Sequence, residues 1–428
     1  MGSEWKSLQL GDICELRAGS VFPPALQGKL TGTYPFVKVS DMNLPANALY
    51  IQVANNWIND TEMVKLKAKP FPVGTTIFAK IGEALKANRL RFLIQPTILD
   101  NNMMGAIPTE NEVDPRFFFY SLSQFDFGEI ADGTALPYLT VNGLSKLPVM
   151  LPPLSDQHSI AHILGTLDEK IELNRRMNET LEAMARALFK SWFVDFDPVR
   201  AKVEGRDTGL PPEISDLFPD EFVDSELGEI PKGWRVDAIY EVADVVYGAP
   251  FSSKLFNSNK DGKPLIRIRD LINENPGIWT AEIHPKGYLV NPGEIVVGMD
   301  GEFRAYLWGG EKAWLNQRLC VFRPKDSVPS FFLFNTILAP LAEVEATEIA
   351  TTVIHLGKND IDRFKSIISP INVLNAFGKI TQPLFHKIII GKQQSRTLSS
   401  LRDTLLPKLI SGEIRVGEAE KYLEVVET

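Results

Sequence analysis

Two sets of polar side chains stand out by type and spacing. The first is Lys38, Ser40, Asp41 and Asn43, then Lys80, Lys86, Arg89 and Arg91, then Asn101 and Asn102. The second is Arg267, Arg269 and Asp270, then Asp300, Arg304 and Tyr306, then Asn316, Gln317 and Arg318. In a DNA major groove, Arg and Lys fit guanine, Asn and Gln fit adenine, and carboxylates accept from cytosine. Lys86, Arg89 and Arg91 better suit phosphates, contacts that position without specifying. Each of these residues can equally be a solvated loop residue or a turn cap. The amides at Asn101-Asn102 and Asn316-Gln317 recur in both sets, which fits a structural role as well as a readout one.

The elements that carry these residues recur too. Strands are expected at Phe36–Val39, Thr76–Ala79, Leu265–Ile268 and Glu294–Val297, short β-branched or aromatic runs bounded by Gly, Pro and Asp. Helices with Pro in the first turn are expected at Pro115–Phe125 and Pro329–Leu338. The box PFVKVSD from Pro35 answers PLIRIRD from Pro264, and LDNNM from Leu99 answers WLNQRL from Trp314, with Asp100 set against Leu315. The offset between halves drifts from 229 to 214 and returns to 217 while the order of boxes is kept. Chance does not preserve order in this way, so the chain is an internal duplication.

Each half ends in a long heptad pattern. Ile160, Leu164, Leu167, Ile171, Asn174, Asn178, Leu181, Ala185, Leu188 and Trp192 alternate by four and three, the seam of a helix lying along another helix. Pro152 and Pro153 precede it, and Ser155 or Asp156 is expected to cap its first turn. The second seam is Phe377, Thr381, Leu384, Ile388, Gly391, Ser395, Leu398, Arg402, Leu405 and Leu409. Both are small or polar at the centre, so Asn174 and Asn178 are expected to face Gly391 and Ser395. Either direction of pairing aligns the centres; connectivity favours antiparallel. Rods of about 55 Å, from about 1.5 Å per residue, would then hold two similar heads near opposite ends of a bar. Such a caliper suits a regular polymer, and DNA half-sites on one face recur every ~34–36 Å.

The net charge of −9 argues against a strongly basic DNA-binding domain. Most of it resides in residues 194–230, where eleven acids face three bases, leaving local basic patches possible elsewhere. Residues 197–230 are rich in Pro, Gly and acid without a sustained period and read as a linker. Cys14 and Cys320 lie in different halves and fit a reducing cytoplasm. No run of 18 apolar residues appears, so no membrane association is expected. His158 and His162 have a ligand spacing but lack the surrounding HExxH, and a helix-surface pair is expected. No Asn-Pro-Pro-Tyr/Phe box, no Gly-rich cofactor turn, no complete P-loop around Gly391-Lys392 and no compact nuclease cluster is present.

Taken together, the helical regions, the PFVKVSD/PLIRIRD and LDNNM/WLNQRL boxes and the ending LLPKLISGEIRV make the whole chain resemble the specificity subunit of type I restriction-modification systems. The resemblance implies a mixed α/β chain. Two similar target-recognition domains, at 1–154 and 231–371, would be separated by two long helices, at 155–196 and 372–412. The helices would form an antiparallel coiled coil with pseudo-twofold symmetry. The acidic linker, 197–230, and an acidic tail, 413–428, complete this division. It implies that each domain reads one half of a bipartite site in double-stranded DNA. It also implies that the helices dock two methyltransferase subunits and, through them, helicase-nuclease restriction subunits. No cofactor is then expected in this chain; S-adenosylmethionine, ATP and magnesium belong to those partners. A scaffold whose heads bind proteins, motivated by the acidic charge, and an enzyme acting alone are the competing readings.

Overall fold

In the computed structural model, which describes residues 5–133, 136–347 and 355–419, the chain divides into two compact units. One comprises Met1–Glu172 with Thr397–Thr428, the other Leu173–Arg396. Each long helix therefore contributes to both units, a division that differs from the expected one of heads and separate rods. Part of the acidic tail, residues 420–428, lies outside the described residues; before it Ile414, Val416 and fully buried Ala419 pack on the first unit's core while Glu413, Arg415 and Glu418 are exposed.

The two heads share a topology. In the first, Lys6–Gln9 pairs antiparallel with Pro148–Leu151. A five-stranded sheet runs in the order Cys14–Ala18, Met103–Pro108, Thr76–Ala79, Leu90–Leu93, Tyr50–Ile51. Trp57–Ile58, Tyr34–Val37 and Ile98–Leu99 form a second sheet, its last two strands parallel. In the second head Arg235–Ala238 pairs with Lys365–Ile368. Ala243–Tyr247, Leu319–Pro324, Ile295–Gly298 and Ala305–Leu307 repeat four of the larger sheet's five strands, with no counterpart of Tyr50–Ile51 in it. Trp279–Thr280, Lys263–Ile266 and Ala313–Leu315 repeat the smaller one, which here gains Phe256–Asn257 and Leu289–Val290 at its edges. Thr76–Ala79 and Ile295–Gly298 are buried at every position, which is why, Thr76 apart, they read as runs without polar alternation.

Glycine marks the same close approach in both heads. A Cβ on Gly19 would sit 2.0 Å from the Asp100 carbonyl oxygen, and one on Gly248 would sit 2.0 Å from that of Asn316. The bridges Ser20–Asp100 and Ala249–Asn316 extend this match. Asp100 thus corresponds to Asn316, one residue away from the pairing with Leu315 expected from sequence. Asn101 corresponds to Gln317, and Asn102 to Arg318.

The long helices span Leu154–Phe193 and Ile371–Ser411. The first begins one residue earlier than the expected cap, so Ser155 and Asp156 lie inside its first turn, with Pro153 accepting from the amides of Asp156 and Gln157. Buried Gln157 does the tethering: its Oε1 accepts from Asp114 N (2.8 Å) and its Nε2 donates to the Pro152 carbonyl (2.8 Å).

Contacts within each unit give the direction of pairing. In the second unit Trp192 meets Phe377 at 6.0 Å, Asn178 lies over Gly391, and Asn174 Nδ2 donates to Gln394 Oε1 (3.0 Å). Numbers rise on one helix as they fall on the other, so the pair is antiparallel. Asn178 faces Gly391 as expected, because a Cβ there would be 2.8 Å from Asn178 Oδ1. Asn174 meets Gln394 instead of Ser395, whose hydroxyl donates to the Gly391 carbonyl on its own helix. Leu181, Trp192, Phe377 and Ile388 are buried here, with Leu188 and Leu384 packed beside them. In the first unit Ile160, Leu164 and Leu167 pack with Leu398, Leu405 and Leu409, and Ile171 borders them.

One seam position in the first unit is ionic. Asp168, 5% exposed, accepts from Arg402 Nη1 (2.6 Å) and from the Tyr120 hydroxyl (2.7 Å). Burial works against the charge on Arg402, but Asp168 and Asp403 together outweigh it and the guanidinium is held above its ordinary pKa. Burial foremost, then Asp168, raises the Tyr120 hydroxyl strongly and keeps it a donor.

Residues 197–230 are not a loop. They carry helices Asp197–Val203 and Pro212–Ser215 and an antiparallel hairpin of Phe222–Ser225 with Gly228–Pro231. Val199, Phe218 and Ile230 are buried, and Phe218 meets Trp192 edge-on at 5.0 Å. The acids face water while widely spaced apolar residues anchor the segment to the second unit's core, so no period is visible in the sequence.

Two outcomes follow. Asp168→Ala removes the acceptor of the Tyr120 hydroxyl and the buried one of the two carboxylates on Arg402, leaving Asp403, and should cost about 3 kcal/mol, since breaking a largely buried pair strands its partners. An Asp168→Leu, Arg402→Met pair should recover most of that in urea unfolding. Phe218→Ala should also destabilise by about 3 kcal/mol, as for other buried aromatics, whereas a true linker substitution would be silent in the same measurement.

Candidate nucleic-acid interface

The shared topology brings the polar residues of each head to one strand end. In the first head Ala79 lies opposite Met103 and Phe78 opposite Leu90, so Lys80, Arg89 and Asn102 leave the larger sheet together. Asp100 N donates to the Val37 carbonyl (2.9 Å), which places Lys38 and the Asn101-Asn102 turn at the same end. In the second head Gly298 pairs with Leu319, Val297 with Ala305 and Ile266 with Leu315. Arg267, Asp300, Arg304, Asn316 and Arg318 thereby converge.

Several candidates prove to be internal. Asp41 is fully buried; it accepts from Lys38 N (2.8 Å), Asn55 N (3.2 Å) and Asn55 Nδ2 (2.7 Å). Asp270 is 6% exposed and accepts from Arg267 N (2.9 Å) and Arg267 Nε (3.0 Å). Both carboxylates cap the 3-10 turn that follows the strand, so neither is presented to a base, and Arg267 is folded back on its own cap. Arg91 lies beside Ile77 in the sheet, and its guanidinium donates to the Leu90 (2.7 Å) and Met42 (2.8 Å) carbonyls. Burial, followed by neighbouring Arg89, pushes it down to about 10. It is therefore a structural arginine rather than a phosphate holder. Tyr306 sits within strand Ala305–Leu307, half-buried, with burial raising its hydroxyl.

Others are exposed or only partly engaged. Ser40, Asn43, Lys86, Arg89, Asn101 and Asn102 are exposed in the first head, and Arg269, Arg304, Gln317 and Arg318 in the second. Lys38 and Lys80 are half-buried, Lys38 Nζ reaching Gln27 Oε1 (3.3 Å). Arg89 donates to Asn43 Oδ1; Lys86 pairs with Glu83 (2.7 Å) and Arg304 with Glu302 (2.9 Å). Asn316 is half-buried. The turn in the first head is held by Asp100, whose Oδ1 accepts from Asn102 N (2.9 Å), so the amide side chains of Asn101 and Asn102 are not its caps.

Asp300 is half-buried and binds two partners, Arg318 Nη1 (2.9 Å) and His355 Nδ1 (2.6 Å). Sequence reading missed His355, because no local spacing ties it to Arg318. Its counterpart Tyr138 sits at the offset of 217 already set by the helices, which was the available signal.

Away from these ends, His158 faces Asp114 at 3.7 Å on the helix surface. Among the described residues no group of three His, Cys, Asp or Glu gathers as a metal site, and no helix is long and apolar enough to cross a membrane. Cys14 and Cys320 are free and buried, burial pushing the Cys14 thiol up to about 12.

The type I restriction modification DNA specificity domain matches at residues 2–183 and again at 231–398. The chain is 27% identical over 438 residues to the type I restriction enzyme MjaIX specificity subunit of Methanocaldococcus jannaschii, covering 97% of this chain and 94% of that one. It is 26% identical to the HindI specificity subunit of Haemophilus influenzae, covering 96% and 100%. In fold it is similar to the crystal structure of the type I restriction-modification S subunit from M. genitalium, with a TM-score of 0.56 at 15% identity over 95% of this chain and 96% of that one. The duplicated heads, the paired helices and the twofold family match agree: the chain belongs to the family of type I restriction-modification specificity subunits.

Proposed function

We propose that this chain is the non-catalytic DNA-reading subunit of a restriction-modification complex, each head reading one half of a bipartite asymmetric site. One observation carries the reading: the same topology gathers exposed polar residues at the same strand end of both heads, yet with different side chains. Equal frames with unequal contents are what two unlike half-sites require. Lys86, Arg89, Arg269 and Arg304 suit phosphates and the turn residues suit bases. Methyl transfer from S-adenosylmethionine and the ATP- and magnesium-dependent steps belong to the partners, and a cytoplasmic location accompanies access to cellular DNA.

The paired helices, on this reading, set the gap between half-sites and dock two methyltransferase subunits, which in turn bring the restriction subunits. Their docking role is supported by exposed apolar residues on a helix whose inward seam is already filled. Leu173, Met177 and Met184, spaced by four and seven, are 60%, 38% and 54% exposed. A stripe of that spacing suits a partner helix.

Replacing the second head by that of another specificity subunit should change one half-site in binding selections with the assembled complex; a change in both, or in neither, refutes the division of labour. Inserting one heptad into each helix, after Glu172 and after Arg396, keeps the seam in register and adds about 10 Å. The preferred gap should lengthen by about three base pairs at about 3.4 Å each. Met177→Lys should weaken capture of the methyltransferase subunit at least tenfold without lowering the unfolding midpoint of the isolated chain.

A further inference from the structure

Main-chain hydrogen bonds fix which positions of the two heads correspond at the strand end. In the first head Lys80 N donates to the Asn102 carbonyl (2.9 Å) and Leu139 N to the Lys80 carbonyl (2.8 Å). In the second Met299 N donates to the Arg318 carbonyl (3.0 Å) and Leu356 N to the Met299 carbonyl (2.8 Å). Asn102 and Arg318 are therefore one position, the last before strands Met103–Pro108 and Leu319–Pro324. One step beyond Lys80 and Met299 lies an isolated bridge, Ile81 with Tyr138 in the first head and Asp300 with His355 in the second. The frame is shared and its backbone is satisfied; what differs is the exposed side chain and its surroundings. Asn102 stands beside an apolar bridge. Arg318 is held through Asp300, which also binds His355.

Asn presents one donor and one acceptor, matching adenine N6 and N7, while Arg presents two donors, matching guanine O6 and N7. We infer that Asn102 and Arg318 are the matched base-reading position of the two heads, Asn102 selecting adenine and Arg318 guanine, with Asp300 as the residue that positions Arg318. This rests on the DNA-reading function proposed above. A carboxylate on one edge of the guanidinium restricts a long flexible side chain and leaves its other nitrogens for the base. Asp300 is then an orienting group rather than a cytosine acceptor. Arg304, exposed at the same end, is tied to exposed Glu302, an arrangement that suits a phosphate neighbour more than a fixed fork.

The test uses the full chain assembled with methyltransferase subunits and a pool of duplexes randomised across both half-sites, sequenced after binding at two salt concentrations. Arg318→Ala should reduce the preference for guanine about 10- to 100-fold at one position of one half-site and leave the other half-site unchanged. Arg318→Gln should move that position from guanine toward adenine. Asn102→Ala should relax an adenine in the other half-site only. Asp300→Asn should weaken the same guanine preference and no other, with an unchanged unfolding midpoint. A uniform loss of affinity for Arg318→Ala with a shallower salt slope would make it a phosphate contact and overturn the inference. Unaltered base preferences in the Arg318 and Asn102 variants would overturn it as well. If the wild-type complex shows no base preference anywhere, the DNA-reading function itself fails, an outcome separate from these two.

Discussion

The antiparallel pairing of Leu154–Phe193 with Ile371–Ser411 is the contact on which both cores depend. Each head has smaller apolar clusters of its own, but the largest cluster of each unit joins the head to a short stretch of both helices. The first unit buries Phe117, Phe118 and Leu122 against Ile160, Leu164 and Leu405; the second buries Phe331 and Phe332 against Phe193 and Phe377. Burying each of these aromatics contributes about 1.5–3 kcal/mol, so the pairing and the heads stabilise one another.

The duplication is exact in frame and unequal in chemistry along this seam. The offset of 217 carries Asp168 to Phe385 and Arg402 back to Ala185. One unit therefore holds an ion pair of buried Asp168 with half-buried Arg402 where the other holds an aromatic and a methyl group, both buried. An ionic pair gains little net stability over an apolar one but tolerates misalignment poorly. Asn178 against Gly391 adds a second such constraint, since only glycine leaves room for the amide. These polar positions define the register of two helices whose leucines alone would accept a shift of one heptad.

Much of this was legible in the sequence, for physical reasons that differ by element. Forty-residue helices announce themselves because a heptad seam repeats the same burial rule many times. Duplicated strands were visible because central strands such as Thr76–Ala79 are buried on both faces and admit few polar residues. What failed were features decided by single distant contacts. The turn alignment slipped by one residue because Asp100 and Asn316 are matched by a carbonyl approach to Gly19 and Gly248, not by side-chain type. Residues 197–230 looked unstructured because their anchors, Val199, Phe218 and Ile230, are scattered among acids. Asp41 and Asp270 resembled surface carboxylates, yet their partners include Asn55, fourteen residues from Asp41, and a guanidinium. Of the candidates, those after the strand ends were placed together as expected, whereas Asp41, Asp270 and Arg91 were claimed by the fold.

The turns that carry Asn102 and Arg318 are framed by main-chain hydrogen bonds and a glycine contact, with the Asp100 carboxylate added in the first head, and the side chains of Asn102 and Arg318 project outside that frame. Such a turn keeps its shape whichever residue projects from it. On the reading proposed above, a substitution at the exposed tip of such a turn changes what the head presents while the main-chain frame that shapes it stays in place.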